Sequence, residues 1–277
     1  MSDQPTQRTF GGRSQVADRQ MSPEELAAEN SRGKIAAGFA FIASLTMVGA
    51  FVVRASELTS KTKLDDAEAL LHLHNNRGAF IIYTVLYAIS IACMAPVLLH
   101  LAVAERSRRP SVPTLVTVLS LAGPLLVALA TPLYTILRVA VAKDFFNDPV
   151  QTVKRAEEVA TSLGLQISTG MVLAGTVGLA FAFVLIALHG QRIGLFSRFF
   201  GIIGIVIGVA TVFMPNPASV LQVFWLGALG MTFLAPAERR QPAWAAGTPV
   251  EPRRPGKQPP PAPPADEAPA DFPAVSS

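Results

Sequence analysis

Six stretches of this chain, residues 35–53, 79–99, 112–137, 163–188, 199–214 and 218–234, contain no Lys, Arg, Asp or Glu. A helix that crosses a hydrocarbon core about 30 Å thick needs roughly 20 predominantly apolar residues. The first four stretches meet that length. The last two are shorter and stand back to back around Pro215-Asn216-Pro217. The pattern predicts an all-α fold, a polytopic transmembrane helix bundle with six spans. It divides the chain into a cytoplasmic segment 1–33, mostly disordered with a short helix, a six-span domain 34–236, and a disordered Pro/Ala-rich cytoplasmic tail 237–277.

The charged fraction is 15% and the mean hydropathy +0.41, against about 25% charged residues in soluble domains. The missing charge is missing from the spans. The first 34 residues are polar, so the first apolar run is read as a retained span rather than a cleaved signal. A formal net charge of +4 without an aromatic-interleaved basic patch does not point to nucleic acid. The single cysteine, Cys93, lies inside the second stretch and is read as a small packing residue.

Six spans put both ends of the chain on one side. That side carries 15 of the 23 Lys and Arg, three of them (Arg106, Arg108 and Arg109) in what reads as a short loop, 105–111. Positive charge near spans stays in the cytoplasm, so the expected topology is N-in/C-in. The expected location is the cell (cytoplasmic) membrane of a bacterium. The 8 basic residues on the other side are balanced by 8 acidic ones.

Local signals refine this outline. Ser22-Pro23-Glu24-Glu25 is a capping box with Pro at the first helical position. Leu64, Ala67, Leu70 and Leu71 recur at helical spacing, which predicts an amphipathic helix after the first span. Asp148-Pro149 reads as a cap pair opening a helix that continues into the fourth span. Pro96, Pro124 and Pro132 lie within spans, where they shape a helix or act as a hinge. The Pro-rich run 259–264 favours extended left-handed backbone.

Candidate chemistry is sparse. His100 and His189 end the second and fourth stretches at the same side, and two such imidazoles could ligate a haem iron. His72 and His74 stand two apart, a spacing that splays them on a helix. The polar residues within the spans are neutral, among them Ser44, Thr84, Ser90 and Gln222, whereas ion-coupled transport relies on ionisable groups in the membrane. No hydrolase, metalloprotease or nucleotide-binding motif is present. The residues therefore assign no catalytic, cofactor or metal site, and an enzyme is not expected. Small residues supply the clearest pattern. Gly170, Ala174, Gly178 and Ala182 recur every four residues, and Gly204-x-x-x-Gly208 follows Gly201. Such stripes let helix backbones approach closely, within the bundle or between copies. Leucine at Gly178 or Gly204 is expected to destabilise the bundle, and Ala243→Leu in the tail to be harmless.

The run Gly194-Leu195-Phe196-Ser197-Arg198-Phe199-Phe200-Gly201-Ile202-Ile203-Gly204, with Gly208, resembles the closing helices of an uncharacterised actinobacterial family of multi-pass integral membrane proteins. Val223-Phe224-Trp225-Leu226-Gly227-Ala228-Leu229 and Pro242-Ala243-Trp244-Ala245-Ala246-Gly247 resemble that family's last span and its proline-tryptophan tail. The resemblance implies a helical membrane fold and no activity. The function expected is a non-enzymatic membrane component that binds the bilayer's lipid or a protein partner, or associates with itself. The alternatives are a carrier or channel for a small neutral or apolar solute, and a haem electron carrier using His100 and His189.

Overall fold

A computed structural model of the protein describes residues 20–57, 66–236 and 239–250. The expectations for residues 1–19, for Leu64 and for the Pro-rich run 259–264 lie outside the described residues. Among the described residues the fold is all-α. The helices are α1 (Pro23–Glu57), α2 (Asp66–Asn75), α3 (Arg77–Arg108), α4 (Thr114–Asn147), α5 (Val153–Ala160), α6 (Leu163–Arg192), α7 (Arg198–Phe213), α8 (Pro215–Leu234) and α9 (Pro242–Ala246). Five of them, α1, α3, α4, α6 and α8, are long and apolar enough to cross a membrane. α7 has 16 residues, about 24 Å at 1.5 Å per residue, so it falls short of the span length expected of it.

The five long helices and α7 form a closed ring. α1 packs on α3, α3 on α4, α4 on α6, α6 on α7, α7 on α8, and α8 returns to α1, while α3 and α6 touch across the middle. The ring encloses Phe183, Trp225, Leu229 and Phe233. The Trp225 ring stands edge-on to Phe183 with centroids 5.3 Å apart and stacks on Phe200 at the same distance. The outer faces are apolar too, with Leu45 73% exposed, Leu129 71% and Met231 65%. Water does not tolerate apolar belts of that extent on a soluble monomer, and hydrocarbon does. α2 and α5 cap one end of the ring through Leu70, Leu73, Ala142, Phe145 and Ala156.

The capping box forms as expected. The Ser22 N–H donates to Glu25 Oε2 at 2.9 Å and the Glu25 N–H to Ser22 Oγ at 3.2 Å. The helix it opens is not a separate piece, because it runs without a break into the first span and crosses the boundary drawn at residue 34. α3 and α4 likewise remain continuous through Pro96, Pro124 and Pro132. Asp148-Pro149 does not open a helix. Asp148 ends α4, and its carboxylate accepts from the Val150 N–H at 2.9 Å and from Arg155 at 3.1 Å. These bonds hold the half-buried Asp148 carboxyl below the usual carboxylate range. Thr152 caps α5 instead, and the turn 161–162 separates α5 from α6.

The small residues divide in a way the four-residue spacing does not anticipate. Gly170 and Ala174 are exposed, and a Cβ on Gly170 would meet nothing within 4 Å. The closest approach of α4 and α6 runs instead through Gly123, Gly175 and Gly178. A Cβ on Gly175 would lie 2.8 Å from Val127, and one on Gly178 3.3 Å from the Gly123 Cα. The α7 glycines do face a neighbour: a Cβ on Gly204 would lie 2.7 Å from the Ala187 Cβ, and one on Gly208 2.7 Å from the Ala180 carbonyl. Lipid tails are as apolar as leucine, so such close packing is a main source of helix association in a bilayer. Gly204→Leu and Gly208→Leu are expected to lower the melting temperature in detergent, with an overpacking cost of roughly 1–3 kcal/mol each. Gly170→Leu should melt like the parent. Equal melting of all three variants would remove the α6–α7 glycine contact as a determinant of the fold.

Candidate functional site

The richest chemistry lies at the end of the ring where the start of α1, the end of α3, the α6–α7 turn and the segment 239–250 meet. α3 continues past its apolar stretch to Arg108, so Glu105 and Arg108 sit in helix, fully buried, rather than in the loop 105–111 that the sequence suggests. The Arg108 guanidinium donates to both Glu29 carboxylate oxygens at 3.0 and 2.8 Å, to the Ala243 carbonyl at 2.9 Å and to the Ala104 carbonyl at 2.9 Å. Four of its five donors are thereby used, and its face lies 5.2 Å from the Trp244 ring centroid. One side chain thus joins α1, α3 and the C-terminal segment.

That segment corrects the expectation of a disordered tail from residue 237 onward. Residues 239–250 fold back on the bundle, with Ala243 and Trp244 buried. Trp244 Nε1 donates to the Leu195 carbonyl at 3.0 Å, and the Val250 N–H donates to Ile193 at 3.1 Å. The Met21 N–H donates to the Gly247 carbonyl at 3.2 Å. The α6–α7 turn that receives these bonds depends on Gly194, whose φ of +77° is a region that side chains rarely adopt. Arg240 closes the end of α8, donating to the Phe233 carbonyl at 2.7 Å, the Ala235 carbonyl at 2.8 Å and Asn30 Oδ1 at 2.6 Å. Ala243→Leu, taken as a harmless control from sequence, therefore falls on a buried contact.

The sequence-derived candidates separate. His100 lies edge-on to Phe233 with centroids 5.1 Å apart and parallel to Trp244 at 6.1 Å. Its buried Nε2 points toward Gly33, where a Cβ would stand 3.5 Å away. His189 lies on α6, with Arg192 and Arg109 as its charged neighbours. No hydrogen bond or ring contact joins the two imidazoles among the described residues. His74 stacks on Phe146, and His72 accepts Asn76 as a neighbour. Among the described residues no three His, Cys, Asp or Glu converge as a metal site.

Some of the neutral polar residues fasten helices to one another, while others, such as Ser120 and Thr176, bond their own helix backbone and the Thr117 and Thr131 hydroxyls are buried without a partner. Ser90 donates to the Ala43 carbonyl at 2.7 Å, Ser44 to Val223 at 3.1 Å, Thr84 meets Thr135 at 3.0 Å, and Gln222 donates to Thr211 at 3.1 Å. Glu105 is the residue that sequence reasoning missed. Both carboxyl oxygens are buried without a well-formed hydrogen bond, the Gly190 backbone being the nearest polar group, beside the Phe196 ring. Two grooves open beside this end. One, of about 280 Å³, lies between α1 and α3 and adjoins a second cavity of about 280 Å³ at Arg32, His100 and Val103. Another, of about 350 Å³, lies between α7 and α8 beside Arg239 and Arg240.

No protein-family model, no curated protein and no solved structure matches this chain. The resemblance of residues 194–247 to an actinobacterial family accordingly rests on those residues alone.

Removing one partner of a buried ion pair leaves the other charge uncompensated, at a cost of about 3–5 kcal/mol. Arg108→Met is expected to lower the melting temperature strongly and to open residues 239–250 to limited proteolysis, with Glu29→Gln added to it restoring part of the loss. Glu105→Met removes two unsatisfied oxygens, each class of group costing about 1–3 kcal/mol, and should melt above the parent. A Glu105→Met protein that melts well below the parent would mean that the carboxyl has a partner essential to the fold.

Proposed function

We propose that this chain is a non-enzymatic, multi-pass component of the cell membrane that binds a lipid or protein partner at the end of the bundle where residues 20–34 and 239–250 meet. The observation that carries this reading is the pair of apolar-floored grooves bordered by arginines at that one end. Arg108, Glu29 and Arg240 are engaged in fastening the chain to itself, which leaves a rigid frame with open grooves on its flanks. Ser44, Thr84, Ser90 and Gln222 are engaged between helices, which favours a packed bundle over a solute path.

The reading takes six spans with an N-in/C-in topology. α6 ends beside the α6–α7 turn at the arginine-rich end, and α8 begins beside Arg54, Tyr83 and Ser219 at the opposite end. In this reading the chain between them crosses the membrane in α7. A bilayer accommodates a short helix by local thinning at a fraction of a kcal/mol per Å. The distribution of 15 Lys and Arg against 8 supports a cytoplasmic arginine-rich end.

A reporter active only outside the cytoplasm is expected to work when inserted at Pro149 and to stay silent when fused after Ser277. Activity at Ser277 would invert the topology. For the binding reading, native mass spectrometry of the protein extracted from its own membrane should find retained lipid or a stoichiometric partner. A bare protein that moves a neutral solute into proteoliposomes would replace this reading with the carrier.

A further inference from the structure

We propose that the groove between α1 and α3 seats an anionic phospholipid, with the phosphate on Arg32 and one acyl chain against Ile35, Phe39, Leu99 and Val103. The inference rests on the membrane-binding reading above and names the ligand of that site. The groove changes character along its length. Its wall is apolar and outward-facing where the charge-free stretch begins at Ile35, and Arg32 stands one turn further toward the arginine-rich end. In a bilayer that step from hydrocarbon-facing residues to a guanidinium matches the step from acyl chain to headgroup.

The charges around the groove distinguish an anionic headgroup from a zwitterionic one. Arg32 is exposed and has no hydrogen bond or ion pair among the described residues, whereas the nearby acids are occupied. Glu29 is held by Arg108 through both oxygens, and Glu25 by the Ser22 N–H. The Ser107 hydroxyl is turned to the Ala104 carbonyl at 2.9 Å. A phosphate therefore finds the Arg32 guanidinium without a protein partner among the described residues, and a headgroup whose own ammonium already balances its phosphate gains less from that charge. The adjoining cavity of about 280 Å³ beside Arg32 gives the headgroup room.

The test is a native mass spectrometry titration of the full-length protein in non-ionic detergent. Phosphatidylglycerol and phosphatidylcholine with identical acyl chains are compared, and inorganic phosphate serves as competitor. One basic residue at a membrane surface contributes about 1 kcal/mol toward an anionic lipid, so phosphatidylglycerol should bind about five-fold more tightly. Arg32→Gln should abolish that preference, weakening phosphatidylglycerol about five-fold more than phosphatidylcholine, whose phosphate loses the same guanidinium but whose net charge is zero. Val103→Trp, at an exposed position of the trough, should weaken both lipids. Equal affinity for the two lipids in the parent, or a preference that survives Arg32→Gln, overturns the anionic assignment. If Val103→Trp still weakens both lipids in that case, lipid binding at this end stands. Displacement of lipid by equimolar inorganic phosphate would make this an anion site rather than a lipid site. If neither lipid binds the parent more tightly than it binds Val103→Trp, lipid binding in this groove fails as well.

Discussion

The Arg108 guanidinium is the interaction on which the arginine-rich end depends. It meets Glu29 on α1, its own helix at Ala104, and Ala243 and Trp244 on the returning C-terminal segment. An arginine can do this because its planar fork offers donors in several fixed directions and its face accepts an aromatic ring. A lysine would offer one point of charge and could not hold all of these partners. Residues 20–34 and 239–250 have few other anchors between them, chiefly the Met21–Gly247 and Arg240–Asn30 hydrogen bonds. Without Arg108 the first helix and the closing segment would be joined only at their margins.

The rest of the bundle is held by proximity rather than by charge. α7 lies against α6 because Gly204 and Gly208 present no side chain to Ala187 and Ala180. α8 meets α1 at Gly230, where the Phe41 ring fills the space of the missing Cβ. Single hydroxyls and one amide add direction to these contacts without placing a charge in the core. Such a bundle is stiff, since interdigitated helices have few alternative packings.

The membrane character of the fold was legible because charge-free length is a one-dimensional property, and the α7 glycine pair because its interface lies on a local four-residue repeat. The stripe on α6 misled for a geometric reason. Four residues turn a helix by about 400°, so a strict four-residue spacing drifts by about 40° per step. From Gly170 to Ala182 the stripe therefore rotates by about a third of a turn, from the outer face to the core. Glu105 and Arg108 were illegible as buried groups because charges just past an apolar run look like a loop. Arg108 is buried by Ala243, 135 residues away, and Trp244, and Glu105 lies against Gly190 on α6. The aromatic in the tail was visible, but nothing local distinguishes a Trp that docks from one that does not.

The closed ring sets a condition on how the protein is made. Its last seam joins α1 to α8, and the Ser44–Val223 hydrogen bond in that seam spans 179 residues. A ribosome supplies the helices in order, so α1 enters the bilayer long before its second neighbour exists. Through that interval the side of α1 that carries Phe41 and Ser44 has no α8 to meet and must rest against lipid or an insertion factor. A carboxylate or ammonium there would oppose insertion of the helix, whereas a serine hydroxyl can turn to its own helix while it waits. The absence of charge from the seam is thus a requirement of biosynthesis as much as of the finished fold.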